Sequence, residues 1–397
     1  MGGIICGNML CSMSMVIFLV LITPLANELG LEPWQAGGII TFSSLAWLLM
    51  ARVWGALSDR YGRRNVILLS VMGLAISDVA LASFFVLSLS MGFSGWAAFV
   101  GITVFRFLAC AAYISLPTVS YALVADVAVS DERVRLMSRI GAANGVGNVL
   151  GAFLVVLFGG GSVTEILYLV CVLPFFSFVV LYIWCPAGGR ARHEEKRGGG
   201  LSVREIGFPL VMAFVSMLSV TMSQVTIGYS LGDVVGGGRA GVIGYMFMAA
   251  GLGLILGQFY VGRSTGSLRM KINVGALLAF FGYLFVCFAS SVWMLGGAFC
   301  VIGCGVGILL PIAYNLVSNV ARCGEQGRGA GYIGIAQGSG YVLGPLMGGV
   351  LYSLFNQAPY LLSAFLFGSI FLFSALVSEE GFRRQSGEGT GEVMEQQ

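Results

Sequence analysis

Apolar runs long enough to cross a lipid bilayer recur along the whole chain of 397 residues. A helix of about 20 residues covers the hydrocarbon core of a bilayer, and only helices and closed barrels satisfy their backbone hydrogen bonds there. The runs lie near residues 4–27, 34–57, 65–90, 96–124, 135–158, 164–185, 206–232, 240–262, 271–290, 292–318, 328–354 and 358–378. The sequence therefore predicts an all-α membrane protein with twelve transmembrane helices.

The overall composition also indicates that most of the chain is surrounded by lipid. Of all residues, 57% are apolar and only 10% are charged, more apolar surface than a soluble protein of this length buries. The net charge of +3 is too small to indicate a nucleic-acid partner. No basic region or small-residue cleavage site accompanies the first run, so we interpret it as a span and not as a signal peptide. We expect the lipid bilayer to be the principal partner.

Residues suited to metal or catalytic chemistry are sparse. The single histidine, His193, lies in a charged stretch, which argues against haem, intramembrane zinc and histidine proton relays. Cys300 and Cys304 share a helix face, but two thiols without a third ligand are typical of packing. We predict no catalytic residue, no metal and no cofactor, with a proton gradient as the energy source. A membrane-embedded enzyme or receptor is a distant alternative, because neither a ligand cluster nor a signalling domain is present.

Lysine and arginine residues define the orientation. They fall in alternate loops on one side, whereas the opposite loops hold only Arg239. The positive-inside rule makes the basic side cytoplasmic, and both termini are then inside. The basic residues on this side are Arg60, Arg63, Arg64, Arg133, Arg135, Arg139, five more within 186–205, Arg263, Arg269, Lys271, Arg322, Arg328, Arg383 and Arg384.

A charged, glycine-rich stretch at 186–205 separates six runs from the other six. It is typical of a flexible linker. We predict an N-terminal six-helix bundle over 1–185, a cytoplasmic linker over 186–205, a C-terminal bundle over 206–378 and a disordered tail over 379–397. The absence of any Asn-x-Ser/Thr site fits a bacterial protein. We expect a monomeric, multi-pass protein of the inner (plasma) membrane.

The segment Gly55-Ala-Leu-Ser-Asp-Arg-Tyr-Gly-Arg-Arg64 follows the second run. It matches GxxxD(R/K)xGR(R/K) at every defined position and resembles the signature of the major facilitator superfamily, which carries it between spans two and three. The resemblance implies two pseudo-symmetric six-helix bundles and a gate that locks the cytoplasmic side. A positive-inside charge cluster with a turn glycine is the alternative. The implied gate residues are Gly55, Asp59, Arg60, Gly62, Arg63, Arg64 and Asp126.

Each part of this gate has a physical role. Gly55 permits close contact between helices, and Gly62 permits a tight turn. Arg63 or Arg64 is expected to pair with Asp126, at the cytoplasmic end of span four. A degenerate copy of the motif at 257–263 lies 202 residues after the first, which supports an internal repeat of six spans.

A second glycine pattern lies in span eleven. It resembles the glycine–proline motif of family exporters, which usually carry it in span five. Here span five retains only Gly147 and Gly151, with Ala152 in place of proline. The motif indicates export, and the alternative is a proline-kinked, glycine-lined helix interface. Its residues are Gly331, Gly340, Gly344, Pro345, Gly348 and Gly349.

Two charges lie deep in the predicted membrane, Asp78 in span three and Arg106 in span four. Either is costly facing lipid, so both should face the interior or each other. Arg106 matches the arginine of the family's span-four motif, although Cys110 stands where glycine is usual. The resemblance links this arginine to proton coupling or to substrate charge. A carboxylate that separates from an arginine can exchange a proton. The alternative is a static buried ion pair.

These features predict a transporter that exports a small organic solute, drug or metabolite, in exchange for protons by alternating access. Span one lacks the embedded acid common in drug/proton antiporters, which disfavours dicationic drugs. The alternative is a transporter of siderophores or other organic anions, including proton-coupled uptake, which an unpaired Arg106 favours. Polar side chains expected in a substrate cavity are Gln224, Asn315 and Gln337.

Overall fold

The computed structural model describes residues 1–93, 95–127, 130–158, 162–185, 206–235, 240–264, 266–320 and 326–376. Its helices are α1 (Gly2–Glu28), α2 (Pro33–Tyr61), α3 (Arg63–Met91), α4 (Trp96–Tyr113), α5 (Ser115–Val127), α6 (Ser130–Phe158), α7 (Val163–Trp184), α8 (Gly207–Val235), α9 (Ala240–Arg263), α10 (Leu268–Phe288), α11 (Val292–Val320), α12 (Gln326–Leu354) and α13 (Ala358–Leu376). The predicted linker and tail fall outside these residues.

The helices confirm the all-α prediction, because each apolar run lies on a helix. The fourth run is divided between α4 and α5, which together form one candidate membrane span. Ten spans within the described residues are long and apolar enough to cross a membrane. α2 and α12 are 29 residues long but are not among these ten, and α12 is rich in glycine. With these two helices the count is consistent with the predicted twelve.

The division between α4 and α5 has a local cause. Pro117 has no backbone N–H, so it cannot form the helical hydrogen bond to the carbonyl of Tyr113, and α4 ends there. Just before this end, the indole N–H of Trp54 on α2 donates to the carbonyl of Ala111 at 2.6 Å. This bond fixes the end of α4 to α2.

Backbone proximity divides the chain into two compact units. The first consists of described residues within Met1–His193, Gln224–Met248 and Pro345–Leu354, and the second of those within Glu194–Ser223, Ala249–Gly344 and Phe355–Gln397. The boundaries between units fall inside α8, α9 and α12. The predicted domain boundaries at 185 and 206 stay a prediction.

In the first unit, α1 is the most enclosed helix and packs on α6 and α7. Glycines of α6 allow this approach: a Cβ on Gly147 would lie 3.0 Å from the Cβ of Ser12, and one on Gly151 would lie 2.7 Å from the carbonyl oxygen of Met13. α3 packs on α4 and α7. The interior of this unit therefore lies between α1, α3, α4 and α7.

In the second unit, α10 packs on α11 and α13. α9 and α11 meet through glycines on both sides. A Cβ on Gly253 would collide with the carbonyl of Cys300, and one on Gly307 would collide with the carbonyl of Leu254. Small residues let membrane helices approach until backbones touch, and these glycines serve that purpose.

Candidate functional site

Asp78 is enclosed within the first unit, on α3, with 1% of its surface exposed. The hydroxyl of Ser14 on α1 lies 3.1 Å from Oδ2 of Asp78 and 3.0 Å from the carbonyl oxygen of Val170 on α7. The other carboxyl oxygen, Oδ1, is buried and has no hydrogen-bond partner among the described residues. The carboxyl group is thus held on one side only.

Arg106 of α4 is also enclosed, with 3% of its surface exposed. One terminal nitrogen, Nη2, donates to the thioether sulfur of Met15 at 3.3 Å. The guanidinium carbon lies 4.0 Å from the ring centre of Phe18. The remaining nitrogens Nε and Nη1 are buried and have no hydrogen-bond partner in the part of the chain that is described.

Asp78 and Arg106 influence each other electrostatically, but no ion pair within 4.0 Å joins them in the described structure. Both face the interior, as expected from the cost of exposing charge to lipid. Their separation is inconsistent with a direct static ion pair. Among the described residues, the site instead holds a carboxyl oxygen and two guanidinium nitrogens without partners, which suits exchange of a proton or binding of a polar group.

The loop motif forms its own contacts at the junction of α2 and α3. Asp59 and Arg63 form an ion pair at 2.6 Å, and Arg63 also donates to the hydroxyl of Ser58. Arg64 donates to the carbonyl of Tyr182, near the end of α7, at 2.7 Å. Gly62 has a φ of 90°, a conformation that favours glycine at this turn.

Two expectations for the motif have different outcomes. A Cβ on Gly55 would meet no described atom within 4 Å, so the close helix contact expected at this glycine is absent there. The side chain of Asp126 lies outside the described residues, and its pairing with Arg63 or Arg64 stays a prediction. Arg60 is exposed and lies 5.4 Å from the ring centre of Tyr61.

Replacing Asp59 by Asn should change thermal stability little. The Asp59 side chain is 46% exposed, and an exposed i,i+4 ion pair contributes about 0.5 kcal/mol or less. Arg63→Met should cost about 2 kcal/mol, because it removes a nearly buried, hydrogen-bonded cation. Thermal unfolding in detergent, followed by tryptophan fluorescence, compares the two variants. Equal destabilisation by both would contradict this assignment.

The glycine–proline motif of α12 forms tight helix contacts in each unit. In the second unit, a Cβ on Gly340 would lie 2.7 Å from the backbone nitrogen of Leu218, and one on Gly344 would collide with Thr221, both on α8. In the first unit, a Cβ on Gly349 would collide with the carbonyl of Pro33 at the start of α2. Pro345 and Gly348 are buried, whereas a Cβ on Gly331 meets no described atom within 4 Å.

The polar side chains expected in a cavity belong to different units, so a cavity formed by all three stays a prediction. The hydroxyl of Tyr314 on α11 donates to Oε1 of Gln337 on α12 at 3.1 Å. Asn315, next to Tyr314, is exposed. Gln224 is half-buried on α8 and belongs to the first unit, whereas the other two belong to the second.

Sequence reasoning missed the partners of the buried charges. Ser14 is one of several polar residues in the first apolar run, and Met15 and Phe18 carry no signal beyond their apolar character. A polar chain between helices was also missed: the Ser12 hydroxyl lies 3.0 Å from the hydroxyl of Tyr113 and donates to Oδ1 of Asn144 at 2.9 Å. The polar side chains of Ser12, Tyr113 and Asn144 within apolar runs were the sequence feature that could have indicated this chain.

Comparison with known proteins covers nearly the whole chain. The family model described as Major Facilitator Superfamily matches residues 4–235 and 206–392. The class B tetracycline resistance protein of Escherichia coli is 24% identical over 336 residues, covering 80% of this chain and 79% of that protein.

Solved structures of the same fold are also found. A bacterial homologue of the human lysosomal transporter Spinster aligns with a TM-score of 0.73 at 15% identity, covering 96% of this chain and 97% of that one. The human organic anion transporter MFSD10 aligns with a TM-score of 0.66 at 18% identity, covering 94% of this chain and 98% of that one. At these identities the structures support the fold.

Proposed function

The chain belongs to the Major Facilitator Superfamily as a multi-pass secondary transporter, and from this premise we propose that it exports a small organic solute in exchange for protons. The match to tetracycline resistance proteins supports export, because moving a drug out of a cell confers resistance to it. We place the protein in the bacterial inner membrane, with its basic loops on the cytoplasmic side.

The arrangement of Asp78 carries the proposal of proton coupling. Its carboxyl group is buried, is held by one hydroxyl and lies near a guanidinium without pairing with it. An ionisable group in the interior of a membrane bundle is a functional-site candidate by default, since its burial is costly. In this separated arrangement Asp78 is able to bind a proton.

We propose that Arg106 causes Asp78 to release this proton. If the guanidinium of Arg106 moves to the free oxygen Oδ1, the charged carboxylate is stabilised and the proton leaves. Alternation between separated and paired arrangements therefore accounts for one proton bound and released per cycle. The loop motif and the glycine contacts of α12 are proposed to couple this local change to alternating access.

Proteoliposomes that hold a pH gradient test this function. A panel of cationic drugs, neutral drugs, organic anions and tetracycline is added while internal pH is followed with a fluorescent dye. One chemical class should dissipate the gradient at a rate that saturates with concentration. No response to any class, from protein shown to be folded, would contradict proton antiport of these solutes.

Transport of an organic anion is the second candidate, favoured by Arg106. Two of its nitrogens, Nε and Nη1, are buried without partners among the described residues, and a carboxylate or similar group would accept hydrogen bonds from them. The human organic anion transporter of similar fold is consistent with this candidate. Anion uptake driven by the proton gradient would then indicate import. Faster loss of preloaded anion would indicate export.

Arg106→Gln separates the two candidates. If Arg106 binds the substrate, the variant should lose transport of anions by about 100-fold, because a charge-assisted pair of bonds is lost. Cationic and neutral solutes should then bind normally, although their coupling to protons changes. Binding of radiolabelled anions and cations to purified protein provides the measurement. Equal loss for every class would contradict a role for Arg106 in recognising anions.

A further inference from the structure

Different side chains of α1 contact the buried charges of Asp78 and Arg106. Ser14 donates to Asp78, whereas Met15 and Phe18 contact Arg106 through a sulfur at 3.3 Å and a ring at 4.0 Å. Met15 and Phe18 are i,i+3 neighbours, so they lie on the same helix face. One segment of α1 therefore supplies separate contacts for the carboxyl group and for the guanidinium.

The contacts of Arg106 on this segment are neutral. A thioether is a weak acceptor, and an aromatic face attracts a cation by about 2 kcal/mol when water is excluded. Neither group titrates. The competing acceptor is the free oxygen Oδ1 of Asp78, which has no partner among the described residues. Met15 and Phe18 therefore compete with Asp78 for the same guanidinium.

We propose that Met15 and Phe18 are positioning residues that hold Arg106 away from Asp78 and so keep Asp78 able to bind a proton. This inference rests on the proposed proton coupling. Because Ser14 lies on the same segment, a movement of α1 changes the contacts of both charges together. Release of Arg106 from the sulfur and the ring would then free it to pair with Asp78.

Groups from three helices interact with Asp78 electrostatically or by a hydrogen bond in the described structure. α1 contributes the Ser14 hydroxyl and the Cys11 thiol, α4 contributes Arg106 and the Cys110 thiol, and α7 contributes the Cys171 thiol. Among these described groups Arg106 is the permanently charged one. Its distance from the carboxyl group should therefore dominate the pH at which Asp78 exchanges its proton.

The double variant Met15→Leu, Phe18→Leu tests this role. Both changes are apolar and close in volume, so they should cost little stability. Arg106 should turn to Asp78, and the midpoint of Asp78 protonation should fall by about 1 pH unit or more. Infrared spectroscopy of purified protein detects the protonated carboxyl group, and Asp78→Asn identifies its band. This titration requires no transport, so it remains informative if the proposed function fails.

Matched variants distinguish positioning from packing. Met13→Leu changes another buried methionine of α1 whose backbone meets Gly151 of α6, and it should keep the wild-type midpoint. Phe18→Tyr retains the aromatic ring and should also keep the wild-type midpoint of Asp78 protonation. Phe18→Leu alone should give a smaller shift in the same direction. An unchanged midpoint in the double variant, an equal shift in Met13→Leu, or no titrating Asp78 band in wild type would overturn the proposal.

Discussion

Asp78→Asn should lower proton-coupled solute transport by about 100-fold or more, equivalent to about 2.7 kcal/mol. Asn has nearly the same shape, and its amide oxygen still accepts from Ser14, so the fold should survive. The variant has no group that binds and releases a proton at this position. Transport driven by a pH gradient should therefore stop, while exchange of labelled for unlabelled solute across the membrane should continue.

Glu165→Gln is the matched control for this variant. Glu165 lies in the first turn of α7, where its backbone N–H is capped by the Ser162 hydroxyl, away from the buried charges. This variant should transport at the wild-type rate. If Asp78→Asn moved protons with solute as fast as wild type, Asp78 would have no coupling role, and its burial beside Arg106 would be a matter of packing.

Gly253→Val should prevent normal folding of the second unit. Its side chain would occupy the position of the Cys300 carbonyl, and neither backbone can move without separating α9 from α11. Overpacking typically costs about 1–3 kcal/mol and more where the obstacle is backbone. We expect a cost at or above about 3 kcal/mol, with most of the protein lost to aggregation in detergent. Gly307→Val should behave in the same way, against Leu254.

Gly297→Val provides the matched control on α11. Gly297 is exposed, and a Cβ there would meet no described atom within 4 Å. Size-exclusion chromatography and thermal unfolding of the three variants compare their folded fractions. Wild-type behaviour of Gly253→Val would show that α9 and α11 do not pack at these glycines.

The sequence was sufficient to predict the spans. An apolar run of about 20 residues in a bilayer has no water to bond its backbone, and a helix satisfies all of these hydrogen bonds within the run. The turn at Gly62 was also predictable, since the spacing of the motif required a glycine between two helices. The break before α5 was missed, although Pro117 was visible in the sequence. A proline marks only the place of a break, and its consequence depends on partners such as Trp54.

The candidate site was predictable only in part. Asp78 and Arg106 stood out because charge is rare within apolar runs. Their separation was not predictable, because it depends on Met15 and Phe18, which are common in any apolar helix. That a Cβ on Gly55 meets no described atom was likewise unforeseen, since spacing alone does not tell whether a small residue meets a neighbour.

Proton release on solute binding is the most direct test of whether solute is exchanged for a proton at Asp78. Purified protein in weakly buffered detergent solution is mixed with tetracycline, or with the panel compound that gives the largest flux, and the pH change is recorded. Wild type should release about one proton per solute bound, and Asp78→Asn should bind the solute and release none. Release of the same number of protons by the variant, or binding to wild type without release at any pH, would contradict exchange at Asp78.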